Sequence, residues 1–254
     1  MTGHLQMIAA LMRRGLNEIL RVPGGALPGV LAPTIFVLGF SAVFGEAARL
    51  RSYGGADFLT FTVAVGMLQG AGFTGAATGV NLARDIEQGW FDRLLLSPTP
   101  RPVLLAGIVG SASLRALLPA TVLLTVAFAL GVPWPGLDGL LIALVLMMSI
   151  SAAMACYGVT LALKFRTQQA APLMQVGGFV AVLFTTAYAP RELLSGWLRT
   201  IADVNPVTHV LEGVRQGFVG DVTWATTWPA LLSIAGLVTA FAALAVRGMT
   251  RQGR

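Results

Sequence analysis

The chain has 254 residues, of which 56% are hydrophobic and only 11% charged, with a mean hydropathy of +0.77 and a formal net charge of +6. A soluble domain carries roughly 25% charged residues, and these apolar runs come too close to the ~20 residues that cross a bilayer for this to be one. The basic residues are scattered among segment ends, which excludes a nucleic-acid footprint, and the sole cysteine, Cys156, lies in an apolar run, which excludes a disulfide framework or a cysteine-based metal site.

Membrane-crossing segments must be helices or a closed barrel, because unpaired backbone groups in hydrocarbon cost several kcal/mol each. Long unbroken apolar runs, as opposed to ten-residue alternation, select helices. Residues 1–22 place Leu5, Ile8, Met12 and Ile19 near one helical face and Arg13, Arg14, Asn17, Glu18 and Arg21 on the other, which predicts a helix lying on the membrane interface. A cleaved signal peptide is the competing reading. The apolar core that follows, about 27–44, is longer than a leader core and is closed by no Ala-x-Ala-like site. It is read as the first span, entered through Pro23, Gly24, Gly25 and Pro28.

The second span, about 58–80, carries Gly66, Gly70, Gly72, Gly75 and Gly79, small residues that let neighbouring helices approach closely. Gln69 is its notable polar group, expected to make an interhelical hydrogen bond. Next comes a charged island, 81–101, that packs Arg84, Asp85, Glu87, Asp92, Arg93 and Arg101 between two apolar segments and therefore lies in water. Leu82, Ile86, Trp90 and Leu94 recur every four residues, so a helix here carries one apolar stripe until Pro98, Pro100 and Pro102 end it.

The run 103–132 is too long for one upright span and contains Arg115. A third span beginning near Ala116 lets 103–114 approach along the interface and Arg115 snorkel to the headgroups. If Arg115 instead lies deep in the bundle, it is a functional residue by default. Trp134 anchors the next turn at the interface. A fourth span at about 140–163 is closed by Lys164 and Arg166, and a fifth covers about 171–189. The polar, amphipathic stretch 190–227 precedes a sixth span at about 228–246 and a tail with Arg247, Arg251 and Arg254.

With both termini inside, the inner segments collect Arg13, Arg14, Arg21, Arg84, Arg93, Arg101, Lys164, Arg166, Arg247, Arg251 and Arg254, and the outer ones only Arg49, Arg51, Arg191, Arg199 and Arg215. Eleven against five, with Arg115 set aside, satisfies the positive-inside rule and puts 81–101 in the cytoplasm. Lys164 is the sole lysine and Ala and Gly are abundant, a composition that points to a GC-rich bacterial genome. Span interiors lack Asp, Glu, Lys and His, so an ion-coupled carrier is disfavoured; without a Gly-x-x-x-x-Gly-Lys-Ser/Thr loop the chain is no P-loop ATPase. Asp203, His209 and Glu212 form a small outer acidic cluster, better explained as a polar cap than as an acid–base or metal site.

Two stretches resemble a known family. Glu87-Gln-Gly-Trp90-Phe-Asp-Arg93-Leu-Leu-Leu-Ser97-Pro98-Thr-Pro-Arg101 is similar to the cytoplasmic loop of type-2 ATP-binding-cassette (ABC) permeases of the daunorubicin-resistance or multidrug-exporter class. Trp197-Leu198, Asn205-Pro206-Val-Thr208 and Arg215 are similar to the segment between that family's last two spans, although Ser195-Gly196 stands where many members carry a proline.

The resemblance implies an all-α integral membrane permease of six transmembrane helices, forming a single domain over 1–254. An N-terminal interfacial helix, a coupling helix within 81–101 and a short extracellular helix within 190–227 complete it. It implies a subunit that binds no cofactor itself, pairs with a second copy in membrane lipid, and works with two cytoplasmic ABC ATPase subunits that carry ATP and Mg. It assigns ATPase coupling to Arg84, Asp85, Glu87, Trp90, Asp92 and Arg93, and a path to Gln69 and Phe73 on the second span and Gln175, Phe179 and Phe184 on the fifth. Ser97, Pro98, Asn205, Pro206 and Arg215 are the motif residues. The function expected is export of an amphipathic or hydrophobic small molecule from a bacterial cell, with reversal of Asp92 or Glu87 uncoupling transport. The alternatives are a non-transporting scaffold, an enzyme using Glu192, Asp203, His209 and Glu212, or, within the family, export of polysaccharides or glycolipids.

Overall fold

The computed structural model describes residues 2–21, 27–49 and 55–252. The expected approach through Pro23, Gly24 and Gly25, Arg51 and Arg254, and the side chains of Ile19, Arg21, Pro28 and Arg49 lie outside the described residues. Among the described residues the chain is helical without strands: α1 (Thr2–Arg21), α2 (Leu27–Arg49), α3 (Phe58–Glu87), α4 (Trp90–Leu95), α5 (Arg101–Arg115), α6 (Leu117–Ala129), α7 (Gly136–Phe165), α8 (Ala171–Leu183), α9 (Gly196–Val204), α10 (Pro206–Val219) and α11 (Trp224–Gln252).

Four of these are long and apolar enough to cross a membrane: α3, the nearly continuous rod Arg101–Ala129 formed by α5 and α6, α7 and α11. α2 holds a shorter apolar stretch, Gly29–Gly45. α8 has 13 residues, about 20 Å at 1.5 Å rise each, less than the expected fifth span. The chain leaves the helix after Leu183 because the carbonyls there are taken by side chains of a later segment, described below.

α3 is the central post, packed against α2, α6, α7, α8 and α10. It starts where the Asp57 carboxylate accepts the Thr60 backbone N–H at 2.8 Å, an N-cap that satisfies one of the first-turn donors. Gly75 and Gly79 face α7, so closely that a Cβ at Gly79 would meet the backbone of Gly158. Lacking side chains, the two glycines let α3 and α7 touch backbone to backbone, the close packing that small residues permit in membranes. One apolar cluster joins Val63, Leu68, Leu123, Leu146 and Leu211; a second joins Leu82, Phe91, Leu104, Leu163 and Met249 at the other end of α3.

Two further expectations are corrected, the single apolar stripe and the direction of Arg115. The stripe Leu82, Ile86, Trp90 and Leu94 does not run along one helix: α3 continues through Glu87, and Gly89, in the left-handed region at φ 70°, turns the chain into the separate α4. The buried face of α4 is Phe91 and Leu95. α1 packs on α5 through Leu11, with Gly107 beneath it, while Leu5 is 65% exposed. Arg115 does not snorkel: it is 7% exposed and donates to the Thr78 hydroxyl of α3 at 2.5 Å, because α5 packs between α1 and α3 and turns its last residue inward.

Candidate functional site

The residues of the charged island are drawn to two neighbours. On one flank, Arg14 of α1 grips Asp85 with two hydrogen bonds, 2.8 and 2.7 Å, and lies 3.7 Å over the Trp90 ring. The fork geometry matches the carboxylate, and this hydrogen bond raises the Arg14 guanidinium above its ordinary range. Beside it, Asn81 donates to Glu18 at 3.1 Å.

On the other flank lies the turn between α7 and α8. Arg166, a non-glycine residue at φ 55°, reverses the chain after α7 and reaches Asp92 at 3.2 Å. Glu87 accepts the Gln168 backbone N–H at 2.9 Å and its amide at 2.6 Å, while Arg84 Nε donates to the Gln168 carbonyl oxygen at 3.2 Å. Five of the six residues expected to couple to a partner (Arg84, Asp85, Glu87, Trp90 and Asp92) thus have contacts inside the chain. Asp92 and Arg93 are exposed, and beyond them Leu96 is 86% exposed. Ser97 closes the turn after α4, its N–H bonding Leu94 O at 3.2 Å, and the exposed Pro98 follows.

At the opposite end of α3, Asn205 and Arg215 organise the break after α8. The Asn205 amide donates to Ala181 O at 2.7 Å and Phe184 O at 3.0 Å, while its oxygen caps α10 at Val207 N, with Pro206 in the first turn where a missing N–H costs nothing. Arg215, 7% exposed, donates to Phe61 O, Thr186 O and Ala187 O at 3.0, 2.8 and 3.1 Å, and lies over the Phe61 ring at 3.7 Å.

Between these ends, α3 and α8 enclose a small apolar cavity of about 30 Å³ lined by Gln69, Phe73 and Phe179 among others. Phe73 stacks on Phe179, with centroids 6.4 Å apart. Gln69, 3% exposed, donates to the Tyr188 hydroxyl at 3.1 Å, and its carbonyl oxygen has no hydrogen-bond partner among the described residues. Tyr188 in turn meets Phe40 edge-on. Gln175 does not line this cavity, and Phe184 packs edge-on against the exposed Trp197 instead. In the acidic cluster of α9 and α10, Asp203 is paired with Arg191 at 2.6 Å, and the described residues hold no group of three metal-binding side chains.

Arg14, Arg166, Gln168 and Tyr188 were not marked by any local motif. Arg14 stands out on the polar face of 1–22 and Arg166 as a charge closing a span, but nothing near them in sequence names their partners.

The ABC-2 type transporter family matches residues 6–219. The daunorubicin resistance ABC transporter permease protein DrrB1 of Streptomyces coeruleorubidus is 26% identical over 223 residues, 86% of this chain and 77% of that one. The probable multidrug ABC transporter permease YbhR of Escherichia coli K12 is 28% identical over 61% of this chain and 43% of its own length. The inner membrane transport permease YadH of the same strain is 26% identical over 90% of this chain and 91% of its own. The family match spans both the charged island and the Asn205 to Arg215 segment, so the chain belongs to the ABC-2 type transporter family and is a multi-pass membrane permease subunit of an ABC transporter.

Proposed function

We propose that the chain is the membrane half of an ATP-driven exporter that moves an amphipathic or hydrophobic small molecule, drug-like or lipid-like, out of a bacterial cell. In this reading two copies form the path and six segments of each cross the inner membrane. Both termini face the cytoplasm, and two separate ABC ATPase subunits hold ATP and Mg. Relatives named for drug resistance and multidrug transport support the cargo class.

The observation that carries the reading is α4. It presents Arg93 and Leu96 outward, yet is fastened to α1 through Arg14 over Trp90 and to the turn before α8 through the pair of Asp92 with Arg166. A packed helix shifts as a unit, so movement of a body docked on α4 reaches the helices that carry Gln69, Phe73 and Phe179. ATP binding then has to favour one arrangement by only a few kcal/mol.

The test is gentle extraction from the native membrane and identification of what co-purifies. A P-loop ATPase should accompany the wild type and be lost from an Arg93→Glu, Leu96→Glu variant whose thermal unfolding is unchanged. An Asp92→Arg, Glu87→Arg variant breaks internal contacts instead and should keep the ATPase while losing transport. Absence of any nucleotide-binding partner from the wild type would defeat the proposal.

A further inference from the structure

Gln168 commits its backbone N–H and both polar atoms of its side chain to the last turn of α3. Its backbone N–H and its amide go to the two oxygens of Glu87, at 2.9 and 2.6 Å, and its carbonyl oxygen takes the Arg84 Nε–H at 3.2 Å. The residue opens a one-turn 3-10 helix, Gln168–Ala170, that runs straight into α8. The start of α8 is therefore pinned to α3 by one side chain.

The far end of α8 is pinned as well, by Asn205 on Ala181 O and Phe184 O, with Arg215 on the two carbonyls just beyond. The two pins differ in kind. The Arg215 contacts are buried, whereas those of Glu87 are exposed and can be exchanged for water at little net cost. Between them α8 meets its neighbours through one exposed hydrogen bond, the Tyr157 hydroxyl donating to Leu173 O at 3.3 Å, and through yielding apolar contacts, Gly178 on the Met154 side chain and Phe179 on Phe73. Opening at the Gln168 end while the other holds would swing the first turns of α8 from α3 and uncover the cavity lined by Gln69, Phe73 and Phe179. Arg166, two residues before Gln168, is the residue that holds α4 through Asp92.

Resting on the exporter reading above, we propose that Gln168 is a positioning residue, a latch through which movement at α4 opens or closes α8 against α3. It touches neither nucleotide nor cargo in this scheme and acts through Glu87 and Arg84.

The experiment uses the full chain with its co-purified ATPase in lipid nanodiscs, in a Cys156→Ala background, with nitroxides at Gln88→Cys and Leu173→Cys to report the gap between the end of α3 and the start of α8. Within each copy the wild type should give one short distance without nucleotide and a shifted one when trapped with ATP and vanadate, the distances between copies being identified from singly labelled chains. Gln168→Ala, and Gln168→Glu, which sets a second carboxylate against Glu87, should both give a broad, longer distribution without that nucleotide-dependent shift. Both should still retain the ATPase and hydrolyse ATP, and the neighbouring Gln169→Ala should match the wild type. If either Gln168 variant keeps the wild-type distance and its shift, the latch is overturned. If the wild type brings down no ATPase, the exporter reading fails separately; the latch is then judged on the distance alone, and an unchanged distance in Gln168→Ala sinks it too.

Discussion

Asn205 and Arg215, at the start and near the end of α10, both reach for backbone oxygens released where α8 stops: Ala181 O and Phe184 O for the first, Thr186 O and Ala187 O for the second. A helix that ends inside a protein leaves up to four carbonyls without intrahelical donors, and in a membrane water cannot be relied on to supply them. One short helix thus provides the donors that let another end early.

For Asn205 this gives an unusual ranking of substitutions. Its oxygen caps α10 at Val207 N and its nitrogen faces two carbonyls. Aspartate is ordinarily as good an N-cap as asparagine. Here Asn205→Asp would keep the cap but aim a carboxylate at two carbonyl oxygens, so it should be less stable than Asn205→Ser, which keeps a cap and adds no repulsion. Thermal unfolding in mild detergent should put Ser above Asp by about 1 kcal/mol or more; the reverse order would mean that the amide contacts contribute little.

Arg215 tolerates neither loss nor shortening. Three carbonyls depend on its planar fork, and a lysine ammonium cannot reproduce that spread. Leaving buried acceptors unsatisfied costs about 1 to 3 kcal/mol each, so Arg215→Leu should remove most of the folded protein from the membrane fraction. Arg215→Lys should be intermediate, losing at least about 2 kcal/mol. Near-wild-type levels of Arg215→Leu would show that the carbonyls find other donors.

The two ends of the fold differ in how plainly the sequence displays them. The charged island and the prolines that close it stand out as local anomalies against an apolar background, whereas Asn205 and Arg215 are marked only by the resemblance of their segment to the family. The island's partners do not stand out: Arg14 and Asp85 are 71 residues apart, Asp92 and Arg166 are 74, and Glu87 and Gln168 are 81. The early end of α8 was hidden for the same reason, since the donors that permit it come from α10. The direction of Arg115 was missed because α5 is apolar around most of its circumference, and periodicity in such a helix says little about which side meets protein and which meets lipid.

Glycines along α3 separate into those that hold a contact and those that do not. A Cβ at Gly79 would strike the Gly158 backbone on α7, whereas one at Gly72 would have nothing within 4 Å among the described residues. Backbone cannot move aside as a side chain can, so Gly79→Ala should force the two helices apart at a cost of about 1 to 3 kcal/mol. Gly72→Ala should be neutral or slightly stabilising, because alanine has the better helix propensity. Detergent melting curves of the two variants provide the comparison, and equal behaviour would contradict the backbone contact between α3 and α7.

Arg14 gives the mildest effect and the most specific one. Its pair with Asp85 is about half exposed on the arginine side, with 48% of the Arg14 side chain accessible, so solvent screening limits the ion pair to about 1 kcal/mol or less. The stack over Trp90 adds about 0.5 to 1 kcal/mol. Hydrogen bonding to Asp85 raises the guanidinium's folded-state pKa, so its contribution is complete below the ordinary arginine value and is lost only as pH rises through a still higher one. Arg14 should therefore stay charged, and α1 attached, throughout the alkaline range the protein survives. Arg14→Lys, which cannot make the two parallel bonds, should behave much like Arg14→Ala. Amide exchange over α1 reads this directly: both variants should exchange several-fold faster across α1 than the wild type, with α7 unchanged. Full protection in Arg14→Lys would show that charge alone, without the fork, holds α1 to the end of α3.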